Sequence, residues 1–169
     1  MRIVVSDSRC LIDLRKAALL DTFLRLPYEF LIPNTLFEEE LLRFTAIQKK
    51  TLVCSRLKIM DLPGERVLRA QAVVRKFPQI SVQDGFAFAL AESKPGCILL
   101  TGDDKLHTIA TQHEMDVRGV LWVLDEIQRN HLTAAATLLC ALRVFSADPT
   151  VRLPRREVDA YIKRYESIK

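Results

Sequence analysis

Short apolar runs alternate along this chain with longer stretches whose apolar positions recur every three or four residues. That alternation separates buried strands from amphipathic helices. Ile3-Val4-Val5 runs directly into Ser6-Asp7 and predicts a first buried strand. Over 8–26, Leu11, Leu14, Ala18 and Leu19 keep helical spacing. Phe30-Leu31-Ile32 predicts a second strand stopped by Pro33, and Pro33-Asn34-Thr35 then opens a helix to about residue 47, since proline is tolerated in a first turn. A third short strand falls at 57–60, a turn at Pro63-Gly64 and a helix at 65–76. The strongest helix covers 81–92, with Phe86, Ala87, Leu90 and Ala91 on one face. Cys97-Ile98-Leu99-Leu100 is a continuous apolar run of the kind buried in parallel sheets. A helix over 103–114, a fifth strand beginning at Val117, and helices over 121–129, 133–145 and from Pro154 towards Tyr165 complete the series.

Strands alternating with helices predict an α/β fold: a central parallel sheet of about four to five strands covered by helices on both faces. The 169 residues suit one domain. Residues 1–130 carry the alternating pattern, and 131–169 read as a C-terminal helical extension packed on, or continuing, the same domain. Nearly half the residues are apolar (49%) and 27% are charged, a balance that points to a soluble globular protein. No apolar run approaches the roughly 18 residues of a membrane span. Residues 1–5 are too short an apolar stretch for a signal peptide. The expected location is cytoplasmic.

The cysteines (Cys10, Cys54, Cys97 and Cys140) are scattered, with no CxxC pair and apolar neighbours. Buried free thiols are expected, rather than disulfides or a zinc knuckle. His107, His113 and His131 lack zinc-site spacing as well. The net charge of +4 permits nucleic-acid binding without establishing it. Basic residues gather at Lys49, Lys50, Arg56 and Lys58, at Arg75 and Lys76, and at Arg152, Arg155 and Arg156. Each cluster taken singly reads as a solvated face.

The acids carry more information. In open α/β sheets ligands gather outside the carboxyl ends of the strands. Asp7 and Asp103 follow predicted strands there, while Glu39 and Asp84 fall in first turns of helices able to face the same end. Four acids in one cleft would repel one another unless a cation neutralised them. Oxygen ligands favour Mg2+ or Mn2+, and such ions serve phosphodiester cleavage without cysteine or histidine. For each acid alone, a helix-start role is the simpler account. Ser81-x-x-Asp84, Thr35-x-x-Glu38 and Thr101-x-x-Asp104 all match a capping box. Capping by Glu38 and Asp104 would leave Glu39 or Glu40, and Asp103, freer to bind metal. Asp7 resists the structural account, because a buried strand end is a costly place for an idle carboxylate.

These segments resemble the PIN-domain family. Ile3-Val4-Val5-Ser6-Asp7-Ser8 is similar to its opening strand, and Ile32-Pro33-Asn34-Thr35-Leu36-Phe37-Glu38-Glu39 to its second-strand proline and acidic helix. Ser81-Val82-Gln83-Asp84-Gly85-Phe86-Ala87 and Leu99-Leu100-Thr101-Gly102-Asp103-Asp104-Lys105-Leu106 resemble its third and fourth acidic motifs. The ordered set spans about residues 2–125 and is closest to small prokaryotic PIN proteins, including VapC-type toxins. The resemblance implies a three-layer α/β/α sandwich and a ribonuclease using Mg2+ or Mn2+. Its metal-binding and catalytic set would be Asp7, Glu39, Asp84 and Asp103, with Glu39 favoured over Glu40 by its distance from Pro33. It implies Ser8 and Thr101 as supporting hydroxyls or helix caps. For toxin-like members it further implies an antitoxin protein partner and a homodimer. Arg9 departs from the small or apolar residue expected beside Ser8, and stands either to bind phosphate or to pair with Glu39.

Two other classes compete. A PIN-like scaffold that binds RNA or protein without cutting would not need four acids. A receiver-like or haloacid-dehalogenase-like phosphotransfer domain also places an aspartate after its first strand. The dehalogenase type wants a second aspartate where Arg9 stands, and a receiver wants an acidic pair where Ser6-Asp7 supplies one acid.

Overall fold

Five strands are consistently parallel: β1 (Arg2–Ser6), β2 (Tyr28–Pro33), β3 (Leu57–Met60), β4 (Ile98–Leu100) and β5 (Asp116–Arg118), in spatial order β3-β2-β1-β4-β5. The computed structural model describes residues 1–39 and 41–168. In register, Val4 lies between Phe30 and Ile98, and Val5 between Leu31 and Leu99, so the first apolar run becomes the centre of the sheet. Val4, Val5, Phe30, Ile32, Leu99 and Leu100 are fully buried, as strands covered on both faces must be.

Among the described residues, ten α-helices connect and cover the sheet. They are α1 (Ser8–Lys16), α2 (Leu20–Leu24), α3 (Asn34–Glu39), α4 (Ala46–Cys54), α5 (Gly64–Lys76), α6 (Val82–Glu92), α7 (Asp104–Gln112), α8 (Val120–Arg129), α9 (Ala135–Ala147) and α10 (Arg155–Glu166). Right-handed crossovers put the helices leaving β1 and β2 on one face and those leading to β4 and β5 on the other. The packing agrees, because α6 lies across β1, β2 and β4 with α5 outside it, whereas α1 and α2 meet α8. The expected three-layer α/β/α sandwich is therefore present.

Two predicted helices are broken where the sequence shows no break. The first is cut after Lys16. There the Leu19 amide donates to the Leu14 carbonyl at 2.9 Å and the Ala18 amide to that of Arg15 at 3.0 Å, closing a Schellman turn with Ala18 at φ 56°. Glycine normally signals that turn, and alanine hides it. The second is cut into α3, a 3-10 turn over Leu41–Arg43, and α4. The start of α4 is a capping box, in which the Gln48 amide donates to Thr45 and the Thr45 amide to the Gln48 side chain. As a result Glu39 is the last residue of its helix and lies outside the first turn.

Helix α6 approaches α5 closely because Gly85 has no side chain. A Cβ there would meet Val74 Cγ2 at 2.6 Å and the Ala70 carbonyl oxygen at 2.9 Å. Cys10 and Cys97 are buried, as expected, but Cys54 and Cys140 are exposed, since each falls on the outer side of its helix. Among the described residues, no helix is long and apolar enough to cross a membrane.

Candidate active site

Helices leave β1 and β4 towards opposite faces, so the sheet opens a crevice at the carboxyl ends of these two neighbours. Asp7 enters it from β1. Its backbone amide donates to the Leu100 carbonyl at 2.9 Å, which continues the sheet ladder one residue past the strand. Its side chain starts α1 by accepting the Cys10 amide at 2.9 Å on Oδ1. Oδ2 accepts the Thr101 hydroxyl at 2.6 Å and the Gly102 amide at 3.0 Å, both delivered from the end of β4. Three donors thus hold a carboxylate that is 3% exposed.

Burial is the main reason that the Asp7 carboxyl stands above the usual aspartate range; the charge of Asp84 adds to the rise, and the three donors oppose it. Asp84 is raised in the same way, first by burial, with the charge of Asp103 adding and that of Arg9 opposing. The charge of Asp84 thus reaches Asp7 and that of Asp103 reaches Asp84, so three different elements bring three of the four expected acids to one crevice.

Thr101 links the first and last members. Its hydroxyl donates to Asp7 and accepts the Asp103 amide at 3.0 Å. Asp103, rather than Thr101, is the cap of α7, with Oδ1 accepting the amides of Lys105 and Leu106, both at 2.9 Å. The expected box of Thr101 with Asp104 does not form, because the Thr101 oxygen accepts the Asp103 amide and Asp103 itself starts the helix. Capping and metal binding are thus not alternatives for Asp103, since the two capping bonds use one oxygen.

The box of Ser81 with Asp84 is present, with the Asp84 amide donating to Ser81 and the Ser81 amide donating to Asp84 Oδ2. Among the described residues, the box of Thr35 with Glu38 does not form. Thr35 Oγ1 is buried with no partner among the described residues. Glu39 is exposed and accepts from the Gln83 side-chain amide, which ties the end of α3 to the residue preceding Asp84. Glu40 lies outside the described residues.

Arg9 does not pair with Glu39, which accepts from Gln83 instead. It makes no ion pair among the described residues, and its aliphatic stem covers Gly102, where a Cβ would meet Arg9 Cδ at 2.9 Å. Its charge acts on Asp84 and on a fifth acid, Asp13. Asp13 was not singled out from the sequence. It sits on the inner face of α1 with Cys10, Leu11 and Leu14, only 5% exposed, and its carboxyl is pushed up to about 6, chiefly by burial. The one available signal was an acid on the apolar side of a helix.

A divalent cation suits this donor set in a particular way. Among the described residues no three Asp, Glu, His or Cys side chains stand close enough to hold one ion together. A closed, zinc-like cage is therefore absent there. Mg2+ instead keeps several waters and binds through one or two carboxylates together with substrate phosphate. Buried carboxylates that push one another upward are what such a cation relieves. Asp7, Asp84 and Asp103 are the residues that would hold it, with Glu39 at the rim.

No individual curated protein matches the chain significantly. A family model described as PIN domain (DUF3368) matches residues 3–167, nearly the whole length, and takes in the sheet, the acid-bearing crevice and both C-terminal helices. The chain belongs to the PIN-domain family.

Proposed function

We propose that this protein is an endoribonuclease dependent on Mg2+ or Mn2+, cutting RNA phosphodiester bonds with Asp7, Glu39, Asp84 and Asp103 as metal-binding and catalytic residues. The observation that carries the reading is geometric: the buried Asp7 carboxylate at the end of β1 is joined through the Thr101 hydroxyl to Asp103 at the end of β4, with Asp84 close enough for its charge to raise Asp7. Asp7, Asp84 and Asp103 would hold the ion, which when bound would supply polarisation of the phosphate and activation of a water.

The chain's own groups provide placement. Thr101, Gly102 and the Cys10 amide fix the Asp7 carboxylate in one orientation. The capping bonds of Asp103 hold one oxygen and thereby set the direction of the other. Arg9, anchored by its stem on Gly102, brings a positive charge to the same rim, where a phosphate arrives. On the resemblance to VapC-type proteins, the reading extends to a toxin with an antitoxin partner and a homodimeric state.

The test is cleavage of a mixed RNA pool by purified protein with Mn2+, with EDTA, and with Asp7→Asn. Cutting that needs the metal and falls at least a thousandfold in the variant supports the reading. Wild type and variant that are both folded, inhibitor-free and inert would replace it with the non-catalytic scaffold. Cutting that survives EDTA and the substitution would overturn the four-carboxylate site. Growth arrest on expression, lost in Asp7→Asn, separately checks the toxin role.

A further inference from the structure

Beside the acid cluster lies a groove of about 550 Å3, within the size range of small-molecule sites. Four carboxylates line it: Asp13 from α1, Asp103 and Asp104 at the start of α7, and Glu157 from α10. Two arginines stand among them. Arg118 is held by Asp116 at 2.7 Å, which leaves Arg152 as the one unpaired arginine against four acids. Trp122 from α8 and Tyr161 from α10 add aromatic wall. Both rings are fixed, Trp122 against Tyr28 with centroids 5.6 Å apart and Tyr161 through its hydroxyl, which donates to Asp125 at 2.5 Å.

Asp13 distinguishes this groove from a merely acidic surface. It is 5% exposed, yet among the described residues its carboxylate accepts no hydrogen bond and joins no ion pair. Lys16, one turn further along α1, donates instead to Asp148 at 3.1 Å and to Thr150 at 3.0 Å. A carboxylate withdrawn from bulk water without a donor is costly to the fold. A cation entering the groove meets that carboxylate and relieves the cost.

The rest of the lining decides what kind of cation. Of the acids that would hold a divalent ion, only Asp103 reaches the groove, and among the described residues no metal cage forms there. An organic cation uses both kinds of wall. Its ammonium groups meet carboxylates, while its methylenes and charge rest on Trp122 and on the apolar surface of Leu153 and Pro154.

We propose that this groove binds a small aliphatic amine of the polyamine class. One ammonium group sits on Asp13, the chain lies against Trp122, and a further ammonium lies among the exposed rim acids Asp104 and Glu157. The site stands apart from the ribonuclease reading and is tested without RNA or metal.

Trp122 is the only tryptophan of the chain, so its emission reports on the groove. Spermidine is titrated at low salt into purified protein stripped of metal with EDTA and dialysed, following Trp122 emission and the heat of binding. Wild type is expected to saturate as a single site with a change in emission. Asp13→Asn, verified as folded by circular dichroism, binds about tenfold or more weakly, the worth of a hydrogen bond to a charged group. Trp122→Leu, followed by calorimetry, binds roughly threefold or more weakly. Glu157→Gln, an exposed change without risk to the fold, also weakens binding. Asp159→Asn removes an exposed acid of α10 that does not line the groove, and keeps the wild-type affinity. The neutral diol 1,4-butanediol does not compete.

Four results would overturn the proposal. They are unchanged affinity in Asp13→Asn, an equal loss in Asp159→Asn, equal competition by the diol, and no spermidine binding by wild type. If the last were joined by quenching of Trp122 with a lysine-bearing peptide, the groove would belong to a protein partner. None of these results bears on cleavage, so the nuclease stands or falls by its own assay.

Discussion

Asp7 and Asp13 lie six residues apart on one helix and its cap, yet their environments differ. Asp7 is buried among three donors, which oppose the upward push of burial without cancelling it. Asp13 is buried with its carboxyl pushed up to about 6, and Lys16 and Arg9 only partly offset the cost. Because this folded-state value lies above the unfolded one, the acid opposes folding once ionised. The penalty is absent below about pH 4, grows as pH rises to about 6, and is complete above it. Asp13→Asn should therefore match wild type at pH 4 and be more stable by about 2 kcal/mol at pH 7.5, given a carboxyl pushed up to about 6 and partly solvated. Urea midpoints at the two pH values check this. Equal midpoints at pH 7.5 would mean that Asp13 is ionised at no cost.

At the level of elements, the helix starts and stops do two tasks at once. Asp103 caps α7 and belongs to the acid cluster. Serine caps about as well as aspartate, and alanine at such a position costs about 1 kcal/mol. Asp103→Ser is thus expected to keep the melting temperature, and Asp103→Ala to lower it. Both should lose metal-dependent cutting, which separates the cap from the ligand in a single pair of assays. Were Asp103→Ser fully active, the carboxylate would serve the fold alone. At the other end of a helix, Ala18 occupies the left-handed position of a Schellman turn. Glycine there relieves a cost of about 1 kcal/mol, partly returned through the looser unfolded chain. Ala18→Gly should stabilise by about 0.5 kcal/mol, measurable by chemical denaturation; a loss of stability would place the turn under some other constraint.

For the molecule as a whole, the question is whether residues 131–169 are an appendage. Leu138, Leu142, Phe145, Val158 and Tyr165 are each at most 2% exposed and belong to the same core as Val5 and Leu99. Each contributes about 1.5–3 kcal/mol by burial. Their sum is comparable with the entire stability of a typical domain, about 5–15 kcal/mol. A chain ending at residue 130 should therefore lack a cooperative urea transition and bind a hydrophobic dye, whereas a sharp transition in that fragment would establish an independent core. The ion pairs of Lys16 with Asp148 and Arg164 with Asp125 fasten the same segment at the surface, where they add little.

Sequence alone was sufficient for what depends on near neighbours. The apolar runs around Val4, Phe30 and Leu99 became adjacent strands, and Asp84 became the acid of a capping box, because strand burial and helix starts are encoded within a few residues. It was sufficient also for the family, since four motifs in fixed order survive without knowledge of their contacts. It misjudged boundaries wherever the local signal was disguised, as with alanine in place of glycine at Ala18. It placed the start of α7 correctly but named Thr101 as a capping-box residue, whereas the Thr101 oxygen accepts the Asp103 amide and its hydroxyl donates to Asp7, 94 positions away. Tertiary structure alone decided which acids share a crevice, that Asp13 is buried beside them, and that Glu39 answers to Gln83. Periodicity marks the side of a helix that turns inward; what that side meets depends on chain segments about a hundred residues apart.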